Sequence, residues 1–151
     1  MVFDPVLGAS QGGALYTGDL AELGPLLARA TLVTPNLDEA GLLSGMHVRD
    51  QDGARAAARA ILREGAAAVL VKGGHLPGQA DDLLITATAE RTFSAPRLPG
   101  ASPRGTGCAL ATAIAIGLGR GLGLEAAIAG GKHWLFGAIA QARDVGDERW
   151  L

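Results

Sequence analysis

Three short apolar runs end on polar residues and alternate with helix-like stretches, and this alternation restricts the fold of the chain more than any other feature. Val2-Phe3 runs into Asp4-Pro5, TLVTPN carries Leu32-Val33 into Thr34-Pro35-Asn36, and AAVLVKGG carries Val69-Leu70-Val71 into Lys72-Gly73-Gly74. Apolar runs bounded by Gly, Pro and Asn read as strands, and strands separated by amphipathic helices read as an α/β fold with a largely parallel sheet. Pro5 removes a ladder donor and biases its predecessor toward extended backbone, so the first strand closes there. Ligands of such sheets gather at the carboxyl ends of the strands. The residues at those ends are Asp4, then Asn36 with Glu39, then Lys72, Gly73 and Gly74.

The stretches between the strands carry helical spacing. After a glycine-bearing loop from Gly8 to Gly13, Leu20, Leu23, Leu26 and Leu27 fit one face of a helix or of two short ones. Asn36 opens another helix, and Asp50 to Glu64, rich in alanine and ended at Gly65, is strongly amphipathic. DDLLITA and ERTFSAP resemble a hairpin-like pair. The final third reads as helical, from Gly107 to about Arg120 and from Leu124 to about Arg143.

Composition enters as a filter. A chain of 151 residues, 48% hydrophobic, can bury roughly 68–70% of its unfolded surface, so a single domain over residues 1–151 is expected. Thirteen basic against 15 acidic side chains give no field for a polyanion, and no basic cluster interleaves with aromatics, which argues against nucleic acid. The most apolar run, Cys108 to Gly119, stops at Arg120, well short of the ~18 residues of a membrane span, and reads as a buried helix. The single cysteine forms no internal disulfide, and the N-terminus lacks the pattern of a signal peptide. A cytoplasmic protein without a membrane partner is expected.

Each polar constellation has a chemical and a structural reading. Gly105-Thr106-Gly107-Cys108 precedes the apolar run, so a helix starting there turns its first N–H groups outward, where the dipole favours an anion and glycine lets one approach. The dipole stabilises a first-turn thiolate by about 0.3–1 kcal/mol, and a thiol so shifted can take a proton from an alcohol. Taken in isolation, the cysteine reads rather as a small buried hydrophobe behind a Thr106 helix cap. Asn36 with Glu39 three residues on is close to a capping box, and the same carboxylate suits a hard cation such as Mg²⁺ beside phosphate oxygens. Lys72, directly after a buried run, needs a counter-charge, which a phosphate would supply, or a path to solvent. His47, His75 and His133 lack metal-ligand spacing, and GLGRGLG lies between helices rather than after a strand, so it is no dinucleotide fingerprint.

Taken in order, FDPVLGAS, TPNLDEAGLL, VLVKGGH, RGTGCALATAIAIGL and GKHWLFGAIAQA resemble consecutive motifs of the hydroxymethylpyrimidine and phosphomethylpyrimidine kinases of thiamine biosynthesis, within the ribokinase-like superfamily. The resemblance implies a Rossmann-like three-layer α/β/α fold with a mostly parallel sheet, of which this chain would be the C-terminal half. It implies that Cys108 deprotonates the substrate hydroxymethyl group and that Gly105, Thr106 and Gly107 form the anion hole around the transferring phosphoryl group. Asp4 and Glu39 match metal-side acids, with Asn36 in the same NxxE element, and Lys72, followed by Gly73 and Gly74, matches a contact to nucleotide phosphates. ATP and Mg²⁺ are the implied cofactors, and a small pyrimidine the implied substrate. The family usually has His before Gly-Thr-Gly-Cys, where this chain has Arg104 and a further positive charge.

The missing N-terminal half would provide the first sheet strands and most of the pyrimidine pocket. Two alternatives accompany the kinase reading: a pyridoxal kinase-like enzyme, and a half-kinase that keeps only a nucleotide-phosphate site or an interaction role. The abrupt start at Val2-Phe3 leaves a sheet edge to be covered, so a homo-oligomer through that edge is expected.

Overall fold

The computed structural model describes residues 1–8, 13–74, 80–99, 103–146 and 148–151; most of the loop expected between Gly8 and Gly13, and His75, lie outside them. The chain divides into two compact units, Met1–Ser94 and Ala95–Leu151.

The first unit is built on a five-stranded sheet in which spatial order follows chain order. Strand β1 (Val2–Phe3) leads through a 3₁₀ turn (Leu20–Leu23) and helix α1 (Gly24–Arg29) to β2 (Leu32–Val33). Helices α2 (Leu37–Ser44) and α3 (Gln51–Arg63) precede β3 (Ala68–Lys72), and a hairpin of β4 (Asp82–Thr86) and β5 (Glu90–Phe93) completes the sheet. β1, β2 and β3 pair in parallel, as expected of βα units, whereas β3–β4 and β4–β5 are antiparallel, in keeping with the hairpin signal. β1 stands at one edge.

Packing explains the alanine-rich helix. Ala54, Ala57, Ala58 and Ile61 of α3 meet Val33, Val69, Val71, Leu83 and Ile85 of the strands, with Ala40 of α2 beside them. Small side chains let the helix lie close to the sheet, and fully burying Ile61 contributes about 1.5–3 kcal/mol. The helix begins where the sequence indicates, since Asp50 accepts a hydrogen bond from the Gly53 N–H at 2.8 Å, a cap worth about 1 kcal/mol. It gives way to Gly65, whose φ of +105° is open to glycine, and a Cβ there would lie 3.0 Å from the Ala28 methyl.

The second unit contains α4 (Thr106–Gly119), α5 (Leu124–Ala140) and a hairpin of β6 (Arg143–Val145) with β7 (Glu148–Trp150). Leu110, Ala111, Ile114 and Gly117 of α4 are buried, as are Ala127, Ile128 and Gly131 of α5. The apolar run read as a buried helix buries one face only: Ile116 stays 50% exposed, because α5 covers the opposite side. The second helix also stops short of Arg143, which instead opens β6; Gly146, at φ +64°, makes the turn that the helical reading overlooked. Among the described residues, no helix is long and apolar enough to cross a membrane.

Candidate active site

In the first unit, the strand ends bring together the residues singled out in the sequence. The Asp4 carboxylate follows β1, and its Oδ1 accepts a bond from Lys72 Nζ at the end of β3, 2.8 Å away. The same oxygen accepts the Thr34 hydroxyl at 2.8 Å. Both partners of the ion pair are largely buried, with 14% of the Lys72 and 16% of the Asp4 side chain exposed. The counter-charge that Lys72 requires is thus supplied by Asp4 within the protein, and the lysine does not extend freely to solvent. A pair this withdrawn from water is costly to break from one side, since the remaining charge is left uncompensated.

Asn36 and Glu39 form a complete capping box at the start of α2: Asn36 Oδ1 accepts the Glu39 N–H at 2.8 Å and Glu39 Oε2 accepts the Asn36 N–H at 2.7 Å. The structural role is therefore present, and it fixes the Glu39 carboxylate in a buried position, 5% exposed. Burial pushes the Glu39 carboxyl above the usual carboxylate range; the Asn36 bond and the charge of Lys72 pull it down, and the charge of Asp4 pushes it up. Glu39 therefore belongs electrostatically to the Asp4–Lys72 pair. The Lys72 N–H bonds the Pro35 carbonyl at 2.8 Å, and Asn36 and Lys72 form a parallel bridge that extends the β2–β3 pairing to the site.

Gly73, expected among the phosphate contacts, donates its N–H to Asp82 Oδ1, 3.1 Å away in the interior. Gly74 is exposed. Thr34 and Asp82 are the residues the sequence reading missed. Their signals were present: a hydroxyl at the polar end of the most deeply buried strand, and an acid directly before Leu83-Leu84-Ile85.

In the second unit, Gly105 is the N-cap of α4 at φ +82°, with no side-chain cap, and Thr106, expected as a possible cap, is the first helical residue. The helix ladder starts with the Ala109 N–H to the Gly105 carbonyl at 2.9 Å, so the amides of Thr106, Gly107 and Cys108 precede the first intrahelical bond. Cys108 is exposed in that turn, which removes the reading of it as a buried small hydrophobe within this unit. Arg104 does not add a free charge to this turn. Its guanidinium pairs with Glu148 and stacks on Trp150 at 5.6 Å, and its N–H donates to the Arg149 carbonyl at 2.8 Å. His47 and His133 are both exposed.

Comparison with known proteins finds the same kind of molecule by sequence and by shape. The family model described as phosphomethylpyrimidine kinase matches residues 1–150. A hydroxymethylpyrimidine/phosphomethylpyrimidine kinase of Streptomyces coelicolor is 42% identical over 147 residues, covering 96% of this chain and 55% of that protein. Among solved structures, the pyridoxal kinase from Staphylococcus aureus in complex with AMP-PCP is similar with a TM-score of 0.88 at 29% identity, over 97% of this chain and 55% of its own. The phosphomethylpyrimidine kinase from Clostridium difficile 630 is similar with a TM-score of 0.76 at 30% identity, over 91% of this chain and 56% of its own. The chain spans about half the length of the relatives it matches. Its fold is the ribokinase-like α/β fold of these kinases.

Proposed function

Because the chain belongs to the phosphomethylpyrimidine kinase family, we propose that it carries the phosphate-binding and phosphoryl-transfer residues of an ATP- and Mg²⁺-dependent kinase of thiamine biosynthesis, acting on hydroxymethylpyrimidine or its monophosphate. The observation that carries this reading is the Asp4–Lys72 ion pair beside the buried Glu39 carboxyl, set by the ends of β1 and β3 and the start of α2. Asp4 and Glu39 offer hard carboxylate oxygens and no soft ligand, a donor set that fits Mg²⁺, and these two residues would hold it. The ion would supply neutralisation of charge on the phosphate oxygens.

The chain's own residues divide the remaining work. Lys72 binds phosphate oxygens as a point charge, on a strand end that fixes its backbone. The amides of Thr106 and Gly107, beyond the left-handed Gly105, receive the negative charge of the transferring group. With hydroxymethylpyrimidine as substrate, the Cys108 thiolate accepts the proton of the hydroxymethyl group as that oxygen forms its bond to phosphorus and the bond to the leaving ADP breaks. The product is a phosphate ester with the proton on the thiol. The substrate is a small molecule, the setting is the cytoplasm, and no nucleic acid or membrane takes part.

A pyridoxal kinase-like activity is the second reading, supported by the likeness to the pyridoxal kinase structure. A half-kinase retaining only a phosphate site is the third. Calorimetric titration with MgATP, followed by hydroxymethylpyrimidine and then pyridoxal, tests all three. Saturable MgATP binding followed by preference for the pyrimidine is expected; preference for pyridoxal transfers the reading to the second, MgATP binding alone to the third, and no MgATP binding overturns the phosphate site itself.

The edge position of β1, with Val2 and Phe3 half-buried, supports a homo-oligomer through residues 2–7 and the adjoining stretch from Leu20 to Ala28. Light scattering at micromolar concentration is expected to give a dimer or higher species, and a monodisperse monomer with fast amide exchange at residues 2–7 refutes it.

A further inference from the structure

Lys72 is aligned from more than one direction, and one of its supports is a buried acid to which neither the family motifs nor the proposed chemistry gives a task. β3 and β4 pair antiparallel from Ala68↔Thr86 to Lys72↔Asp82, so Asp82 stands opposite Lys72 in the last pair of the ladder. Beyond that pair the regular ladder ends. Gly73 and Gly74 open the connection to β4, and since glycine permits many backbone paths, they cannot by themselves hold the residue before them in one orientation. The first of them is instead fastened by a side chain: the Gly73 N–H donates to Asp82 Oδ1 at 3.1 Å. Asp82 is 5% exposed, and a carboxylate withdrawn from water this far is retained only with partners that repay its desolvation. On the other side, the Lys72 N–H is bonded to the Pro35 carbonyl at 2.8 Å, and the ammonium meets Asp4 at 2.8 Å.

We propose that Asp82 is a positioning residue for Lys72: by holding the Gly73 amide it extends the order of the sheet one residue past the last pair of the ladder, and so directs the Lys72 side chain onto Asp4. This rests on the phosphate-binding role given to Lys72 above, and it gives a task to the bond between the Gly73 amide and Asp82.

The chain has two lysines, Lys72 and Lys132, and Lys132 lies buried in the second unit, so each reports separately on its surroundings. The test is the rate of acylation of each lysine by acetic anhydride, read by mass spectrometry, in the unmodified chain, Asp82→Ala and Asp82→Asn. In Asp82→Ala, Lys72 is expected to react about tenfold faster with Lys132 unchanged, because loss of the Gly73 acceptor lets the ammonium leave Asp4. Asp82→Asn keeps an acceptor oxygen and is expected to restore Lys72 to within about twofold of the unmodified chain. A Lys72 rate in Asp82→Ala within twofold of the unmodified chain overturns the proposal. Should both lysines accelerate together in Asp82→Ala, that variant has unfolded, and exchange of the Gly73 amide in the unmodified chain and in Asp82→Asn decides: slowed exchange in both supports the proposal, and unslowed exchange in the unmodified chain overturns it. Kinase chemistry enters by a separate measurement. The preference for ATP over adenosine is expected to fall about tenfold in Asp82→Ala and to hold in Asp82→Asn. If the unmodified chain binds neither ligand, the phosphate-binding reading fails while the acylation rates still judge the placement of Lys72.

Discussion

The two units place functional groups by opposite means. In the first, the candidate site is a set of side-chain charges, Asp4, Glu39 and Lys72, each bonded to a partner that is itself buried or tied to the backbone. In the second it is a backbone turn, one left-handed glycine and the amides that follow, with no side-chain cap. A charge cluster is governed by who neutralises whom, whereas an amide turn is governed by whether the backbone can adopt one value of φ. The first should therefore fail when a partner is removed, and the second when a Cβ is added.

Removing a partner gives the largest expected effect. Lys72→Ala leaves the mostly buried Asp4 carboxylate, among the described residues, with the Thr34 hydroxyl, and a loss of about 3–5 kcal/mol in unfolding free energy is expected by chemical denaturation. The folded fraction should lose affinity for ATP more than for adenosine, and equal losses for both would return Lys72 to a purely structural role. Next comes Cys108→Ser, which keeps the size of the side chain and raises its proton affinity. The rate of phosphoryl transfer at neutral pH should fall about 10²–10⁴-fold with nucleotide affinity nearly unchanged, and a wild-type turnover rate would remove the thiol from proton transfer.

The backbone arm of the comparison predicts a smaller but distinctive loss. Gly105→Ala meets no atom within 4 Å of the new methyl, so crowding cannot explain any effect; only the φ of +82° can. A cost of about 1–2 kcal/mol is expected, and an alanine variant as stable as the parent would show that the turn has other paths open to it.

The smallest effect concerns pH. Glu39 is held above its ordinary range chiefly by burial, so the folded state keeps its proton to higher pH than the unfolded chain. Between those two values the folded state binds more protons, and stability therefore falls as pH rises through the folded value. Glu39→Gln retains an oxygen for the Asn36 N–H and should flatten that part of the stability–pH curve. An unchanged slope would assign it to other groups.

Much of this was legible in the sequence because it rests on local signals. The polar ends of three apolar runs located Asp4, Asn36, Glu39 and Lys72, and the α2 capping box could be read from spacing alone. The pairing of Lys72 with Asp4 was not, because the two are 68 positions apart and periodicity says nothing about which distant charge answers which. Asp82, though its place before an apolar run was a signal, was passed over for a related reason: acids at the start of a strand are ordinarily solvated, and the burial of this one follows from the sheet register. The β6–β7 hairpin escaped because the helical pattern of α5 runs on into Arg143, and Gly146 was not weighed as a turn. Arg104 looked like spare positive charge for the turn it precedes until that hairpin placed Glu148 and Trp150 against it.

The seam between α4 and α5 is set by methyl groups that are missing. A Cβ on Gly131 would lie 3.0 Å from Ile114 Cγ1, and one on Gly117 would lie 3.1 Å from the Ala127 methyl. Each glycine costs its helix about 0.5–1 kcal/mol relative to alanine, a loss of backbone entropy that closer dispersion contact across the seam offsets. Dispersion falls steeply with separation, so the two helices share one favoured spacing and little tolerance around it. α4 is thereby seated on a hard stop: it can turn or slide along α5 but cannot sink further toward it, and the amides at its first turn inherit that fixed height.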